Sequence, residues 1–89
     1  MIESQELYTL GTMITMPALT GSMETGVISK WRVGAGDTIA SGQIIAEIES
    51  DKAVQEYESP EAGKVVRLIA EPGEEVRVGA PILELAAIP

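Results

Sequence analysis

The stretch ESDKAVQEYESP, residues 49–60, sets one amine among carboxylates. Lys52 is the only basic residue between Arg32 and Lys64, and Asp37, Glu47, Glu49, Asp51, Glu56, Glu58 and Glu61 fill the same interval. A deprotonated lysine amine attacks activated acyl groups, and its flexible stem extends whatever it then carries. The plainer reading is a solvated turn lysine, as most exposed lysines are. The acids around it serve solubility and the turn, or steer basic partner surfaces toward the amine, an effect that salt would weaken.

Little other chemistry is on offer. The 89 residues include no cysteine and no histidine. That removes disulfides, thiolate sites, the usual zinc ligand sets and the Ser-His-Asp and Cys-His devices. A chain this short makes one small domain with its function on the surface, and it is not expected to be an enzyme by itself. Six basic residues against fourteen acids, a formal charge of −8, argue against nucleic acid. No apolar run reaches a spanning length, so no membrane helix is expected. Gly34-Ala35-Gly36 is not a phosphate loop, since no helix follows it. Met13, Met16 and Met23 are read as core or rim filler.

Short alternating runs broken by Gly, Pro and Asp point to an all-β fold. Residues 26–48 fall on residues 63–85 without a gap at an offset of 37, placing Gly26, Gly36, Gly42, Ile45 and Glu47 on Gly63, Gly73, Gly79, Ile82 and Glu84. The glycine pairs are read as turns. Each half then runs as a long strand, a turn (GAGD or EPGE), a short strand, a turn at Gly42 or Gly79, and a second long strand. Period two turns Ser29, Trp31 and Val33 inward and Ile28, Lys30 and Arg32 outward, with Val66, Leu68 and Ala70 inward in the second half. The closing strands turn Ala46, Ile48, Leu83 and Leu85 inward, with Glu47 and Glu84 outside. Two face-to-face sheets related by a pseudo-twofold follow, a flattened β-barrel or sandwich with Trp31 as a core anchor. Asp51-Lys52 then caps the connection between the halves, Asp51 accepting bonds from nearby amides.

MPALTGSMETGVISKW, GDTIASGQIIAEIESDKA and SPEAGKV, within about residues 13–86, resemble the lipoyl domains of the acyltransferase (E2) components of 2-oxo acid dehydrogenase complexes. The resemblance implies a barrel-sandwich hybrid of two four-stranded antiparallel sheets, with two hammerhead half-repeats around a DKA core. It implies that Lys52 carries lipoate in amide linkage as a swinging arm for acyl groups and reducing equivalents. Glu49, Asp51 and Ala53 correspond to flanking positions that help the attaching enzyme find its lysine, and Gly42 to the turn before that strand. Implied partners are a lipoate ligase or lipoyl transferase, a thiamine-dependent E1 decarboxylase, the E2 catalytic core and the E3 dihydrolipoyl dehydrogenase. The isolated domain is expected to be a monomer, in a bacterial cytoplasm or a mitochondrial matrix. Ser50 stands where threonine is frequent, and Gly21 where many members have proline, in a loop that in the family lies near the lipoyl turn. Biotinyl domains share the architecture but typically flank their lysine with methionines, where this chain has Asp51 and Ala53. A biotinyl carrier and an unmodified interaction module stand as alternatives. The domain is expected over 12–87, with a leader over 1–11 that lacks the charges of a signal peptide and the start of an Ala/Pro linker at 88–89.

Overall fold

The computed structural model describes residues 11–86. The leader and linker expectations therefore lie largely outside the described residues. Eight strands follow in order: β1 (Thr12–Thr15), β2 (Thr25–Trp31), β3 (Thr38–Ile39), β4 (Ile44–Glu49), β5 (Val54–Glu58), β6 (Gly63–Leu68), β7 (Glu75–Arg77) and β8 (Pro81–Ala86). They form two four-stranded antiparallel sheets, ordered β1-β8-β6-β3 and β5-β4-β2-β7. The fold is all-β among the described residues, as the alternation required.

The two orders are the same order. Replacing β8, β6 and β3 by β4, β2 and β7, and β1 by β5, converts one sheet into the other. Each short strand crosses over to pair with the long strand of the opposite half, β3 with β6 and β7 with β2. The equivalence reaches single bonds: Gly36 N–H donates to Val65 O at 2.8 Å, and Gly73 N–H donates to Ile28 O at 2.9 Å. Both partners are displaced by the same offset of 37.

Between the sheets lies an aliphatic core. Ile28, Ile45, Ala46, Ile48, Ile82 and Leu83 are wholly buried, and Ile14, Met16, Ile39, Val65 and Leu85 nearly so. β-branched residues suit these strands because their stiff side chains pack against the pleat. Ala46, Ile48, Leu83 and Leu85 face inward as alternation required, while Glu47 and Glu84 face out to pair with Arg32 and Arg67. The hydrogen bond to Glu47, then its charge, holds the Arg32 guanidinium pKa above its ordinary value.

Alternation fails in the first part of β2 and β6. Ile28 and Val65 are buried, whereas Ser29 and Val66 are exposed, the reverse of the expected faces. The cause is a register break between Ile28 and Lys30 and its counterpart between Val65 and Arg67. A bulge inserts one unpaired residue and resets the phase of the strand, so Val33 and Ala70 beyond it do point inward. Trp31 is also corrected. It packs against the core from the rim, half-buried, and its indole N–H donates to Ala70 O at 2.9 Å. Met13 is likewise surface, 47% exposed, while Met16 belongs to the core and Met23 packs on it.

The glycine pairs divide into two kinds. Gly36, Gly42, Gly73 and Gly79 have φ between 88° and 95°, which L-residues with a Cβ avoid and which the third position of a type II turn requires. Gly26 and Gly63 are strand residues instead of turns. They serve close packing: a Cβ on Gly63 would stand 2.8 Å from Ala86 O, and one on Gly26 would stand 2.5 Å from Met23 Cε.

Candidate functional site

Lys52 lies in the four-residue connection from β4 to β5, Ser50 to Ala53, beyond the closing pair Glu49 and Val54. Ser50 N–H donates to Ala53 O at 2.9 Å. The Ser50 hydroxyl does the rest: Oγ accepts from Lys52 N–H at 3.3 Å and Ala53 N–H at 3.4 Å, and donates to Ala53 O at 3.2 Å. The amide-accepting role expected of Asp51 thus belongs to its neighbour. Both residue types can bond amides a residue or two ahead, and the structure uses the serine. That role was missed from sequence, although serine two residues before Lys52 was a usable sign.

The turn leaves Asp51, Lys52, Ala53 and Val54 exposed. Lys52 enters no ion pair among the described residues. Asp51 and Ala53 share this turn with it, and Glu49 is the last residue of β4 leading into it. Gly42 does not: it sits at the opposite end of β4, with φ 89° and its N–H donated to Ser59 O at 2.8 Å, about 20 Å of strand away. The ladder gives the barrel a polarity. Thr12 pairs with Leu85, Lys64 with Ala86 and Ile39 with Gly63. The first and last described residues therefore lie at the Gly42 end, and Lys52 projects from the other.

Beside the turn opens a groove of about 410 Å³ whose walls are Ser22 to Thr25 on one side and Glu49 to Asp51 on the other, with Glu75 also lining it. The loop before β2 and the lysine turn are thus neighbours. One ladder row explains the acid content: Val27 of β2 pairs with Glu49 of β4 on one side and Glu75 of β7 on the other. Glu24 and Asp51 add two more carboxylates. Thr25 Oγ1 donates to Glu75 Oε2 at 2.9 Å, fixing one of them. No group of three or more potential metal ligands occurs among the described residues. The arrangement offers an accessible amine on a fixed turn beside an anionic groove.

Two half-barrels of the same strand order with a lysine at their junction are the architecture of a covalent-carrier domain. The chain belongs to the biotin- and lipoyl-attachment family: the family model described as "Biotin-requiring enzyme" matches residues 12–85. Similar curated proteins include the dihydrolipoyllysine-residue acetyltransferase component of pyruvate dehydrogenase complex of Rhizobium meliloti. It is 49% identical over 75 residues, which are 83% of this chain and 17% of the relative. The corresponding component of Zymomonas mobilis is 42% identical over 74 residues, 82% of this chain and 17% of the relative. Pyruvate dehydrogenase E1 component subunit beta of Rhizobium meliloti is 47% identical over 73 residues, 81% of this chain and 16% of the relative. The chain thus spans about a sixth of the length of these relatives. The solution structure of the lipoyl domain of the 2-oxoglutarate dehydrogenase complex from Azotobacter vinelandii matches with a TM-score of 0.62 at 24% identity, over 81% of this chain and 94% of that one. That likeness is one of fold.

Proposed function

We propose that this domain is a lipoyl carrier in which Lys52 Nζ holds lipoate in amide linkage. The observation that carries this reading is the exposed Lys52 at the tip of the β4–β5 turn, with no ion-pair partner among the described residues. A carrier amine must reach the attaching enzyme first and several active sites afterwards. A turn tip on a fixed barrel meets both needs without any rearrangement of the fold. The side chain fits the group, because Nζ is open to solvent and the turn beneath it is braced.

When bound, lipoate supplies a dithiolane that accepts an acyl group together with two electrons. The chain contributes attachment, reach and recognition, and the transfer chemistry resides in other domains. Attachment removes the Lys52 charge and leaves Glu49 and Asp51 flanking a neutral arm. Glu49, Asp51 and Ala53 frame the lysine for the attaching enzyme, and Gly42 acts from a distance, by setting where β4 begins. The loop at Gly21 and the acidic groove give basic partner surfaces a place to meet the turn.

The partners this reading calls for are a lipoate ligase or lipoyl transferase, the thiamine-dependent E1, the E2 core and E3. It is supported by relatives named as components of pyruvate dehydrogenase complex, in which similar segments lie in an acetyltransferase component and in an E1 subunit beta. The relatives are bacterial and mitochondrial, which supports a cytoplasmic or matrix location. No helix among the described residues is long and apolar enough to cross a membrane.

Incubation with lipoate, ATP and a lipoate–protein ligase, followed by intact mass and peptide mapping, tests the reading. A single lipoyl adduct on Lys52 is expected. Lys52→Arg should fold and stay unmodified, because guanidinium keeps its proton. Moving the amine by one residue (Asp51→Lys with Lys52→Ala, or Ala53→Lys with Lys52→Ala) should abolish modification, since it alters the direction in which the amine is presented. Efficient lipoylation of the shifted lysines, or of Lys30 or Lys64 in the Lys52→Arg protein, would sink the assignment. A biotinyl adduct from a biotin ligase in place of lipoate would replace the cofactor.

A further inference from the structure

We propose that Ser50 is a positioning residue for modification of Lys52, holding the attachment turn in the one shape the attaching enzyme reads. The inference rests on the carrier reading above and deepens it. Four other connections, β2–β3, β3–β4, β6–β7 and β7–β8, each place a glycine at positive φ. In each, the fourth residue's N–H bonds the first residue's carbonyl: Asp37 to Gly34, Gln43 to Ala40, Glu74 to Glu71 and Ala80 to Arg77, at 3.0–3.1 Å.

The β4–β5 connection has no glycine and no residue at positive φ. Tight hairpin turns of types I′ and II′ require positive φ, so the backbone cannot close this connection in that way. The backbone supplies one bond across it, Ser50 N–H to Ala53 O at 2.9 Å, and the Ser50 side chain supplies the acceptor for the turn's own amides. Its hydroxyl receives the N–H groups of Lys52 and Ala53, where a glycine turn would use the first residue's carbonyl, and passes its own proton to Ala53 O. The backbone of Lys52 is therefore tied to a side chain two residues earlier. The same device recurs at the next connection, where Ser59 Oγ accepts from Glu61 N–H at 3.3 Å and donates to Glu61 O.

The three Ser50 bonds are long and exposed, so each is weak and water can replace each one. Their loss affects the population of one turn conformation far more than the stability of the barrel. An attaching enzyme that binds only the braced turn then sees a diluted substrate: its apparent affinity falls by the fraction of time the turn is competent. KM rises and kcat is kept. A hydroxyl alone carries the effect, so Ser50→Thr restores it.

Steady-state lipoylation by a lipoate–protein ligase, with lipoate and ATP saturating and the domain varied, tests this on wild type, Ser50→Ala and Ser50→Thr. Ser50→Ala should raise KM for the domain about fivefold to tenfold, the factor that about 1–1.4 kcal/mol represents, with kcat and melting temperature near wild type. Amide exchange at Lys52 and Ala53 should quicken in the same variant. Ser50→Thr should return both to wild-type values. A Ser50→Ala protein with wild-type KM, or a Ser50→Thr protein as impaired as the alanine variant, overturns the inference. A loss confined to kcat, or a matching loss of melting temperature, overturns it as well. Wild-type protein left unmodified by the ligase overturns the carrier reading, and this inference with it.

Discussion

Val65 and Val66 are adjacent, identical in chemistry and opposite in fate, which makes them the sharpest test of the bulge in β6. Val65 is 1% exposed and Val66 46% exposed. Truncating Val65 to alanine removes two buried carbons, about 1.6 kcal/mol of transfer free energy at about 0.8 per CH₂. It also leaves a cavity among packed aliphatic neighbours, bringing the cost to about 2–3 kcal/mol. Val66→Ala surrenders only partial burial and should cost about 0.5 kcal/mol or less. For a domain of this size about 1 kcal/mol shifts the melting temperature by about 4–8 °C, so Val65→Ala should melt about 8–24 °C lower and Val66→Ala within about 4 °C of wild type. Urea unfolding followed by tryptophan fluorescence, with equal m-values across the set, measures both. Unbroken alternation puts Val66 inside and Val65 out. Equal costs, or a larger cost for Val66, would refute the bulge and the inward faces derived from it.

Tyr57 and Trp31 give two further expectations. Burial raises the Tyr57 pKa, so the folded state keeps its phenolic proton where the unfolded chain has begun to lose it; that contribution to stability is whole below the ordinary value near 10 and is lost as pH rises through the folded value. The melting temperature of Tyr57→Phe should therefore fall less than that of wild type between about pH 9 and 11, and equal slopes would remove the effect. Trp31→Phe should cost about 1 kcal/mol through the lost bond to Ala70 O. Trp31→Ala should cost about 2–4 kcal/mol, because the ring covers the core from its rim; urea midpoints that do not change in either variant would place the indole in solvent.

Much of the architecture is legible in the chain because the offset of 37 is carried by residues with backbone reasons. Gly36, Gly42, Gly73 and Gly79 mark turns by their positive φ, and the three strands of each half follow once the halves are equated, whereas β1 and β5 lie outside the repeat and the exchange of short strands between the sheets is set by pairings the repeat does not carry. The bulges were not legible, and the repeat could not reveal them. Ser29 and Val66 occupy the same place in the two halves, so each half repeats the other's break in phase. Agreement between the repeats therefore looked like support for the wrong faces. Trp31 was overrated for a related reason: size suggested a central anchor, but aliphatics from seven strands fill the middle and leave the indole at the rim, where its N–H reaches a backbone oxygen.

The lysine turn divides along the same line, between what is local in sequence and what the ladder brings together. Lys52 stood out through composition alone, one amine among acids between two equated halves. Its setting did not stand out, because the groove combines segments far apart in the chain. Glu75 reaches the turn only because β7 crosses to pair with β2, on the opposite edge of that strand from β4, whose last residue, Glu49, adjoins the turn in sequence. Val27 stands between them in both ladders. A swap of short strands between halves is thus what concentrates charge at this end of the barrel. Gly42 and the first and last described residues are carried by the same pairings to the far end. The exchange that closes the core therefore also separates the two ends of the molecule: one gathers the ends of the described chain, and the other presents a braced amine beside an acidic surface.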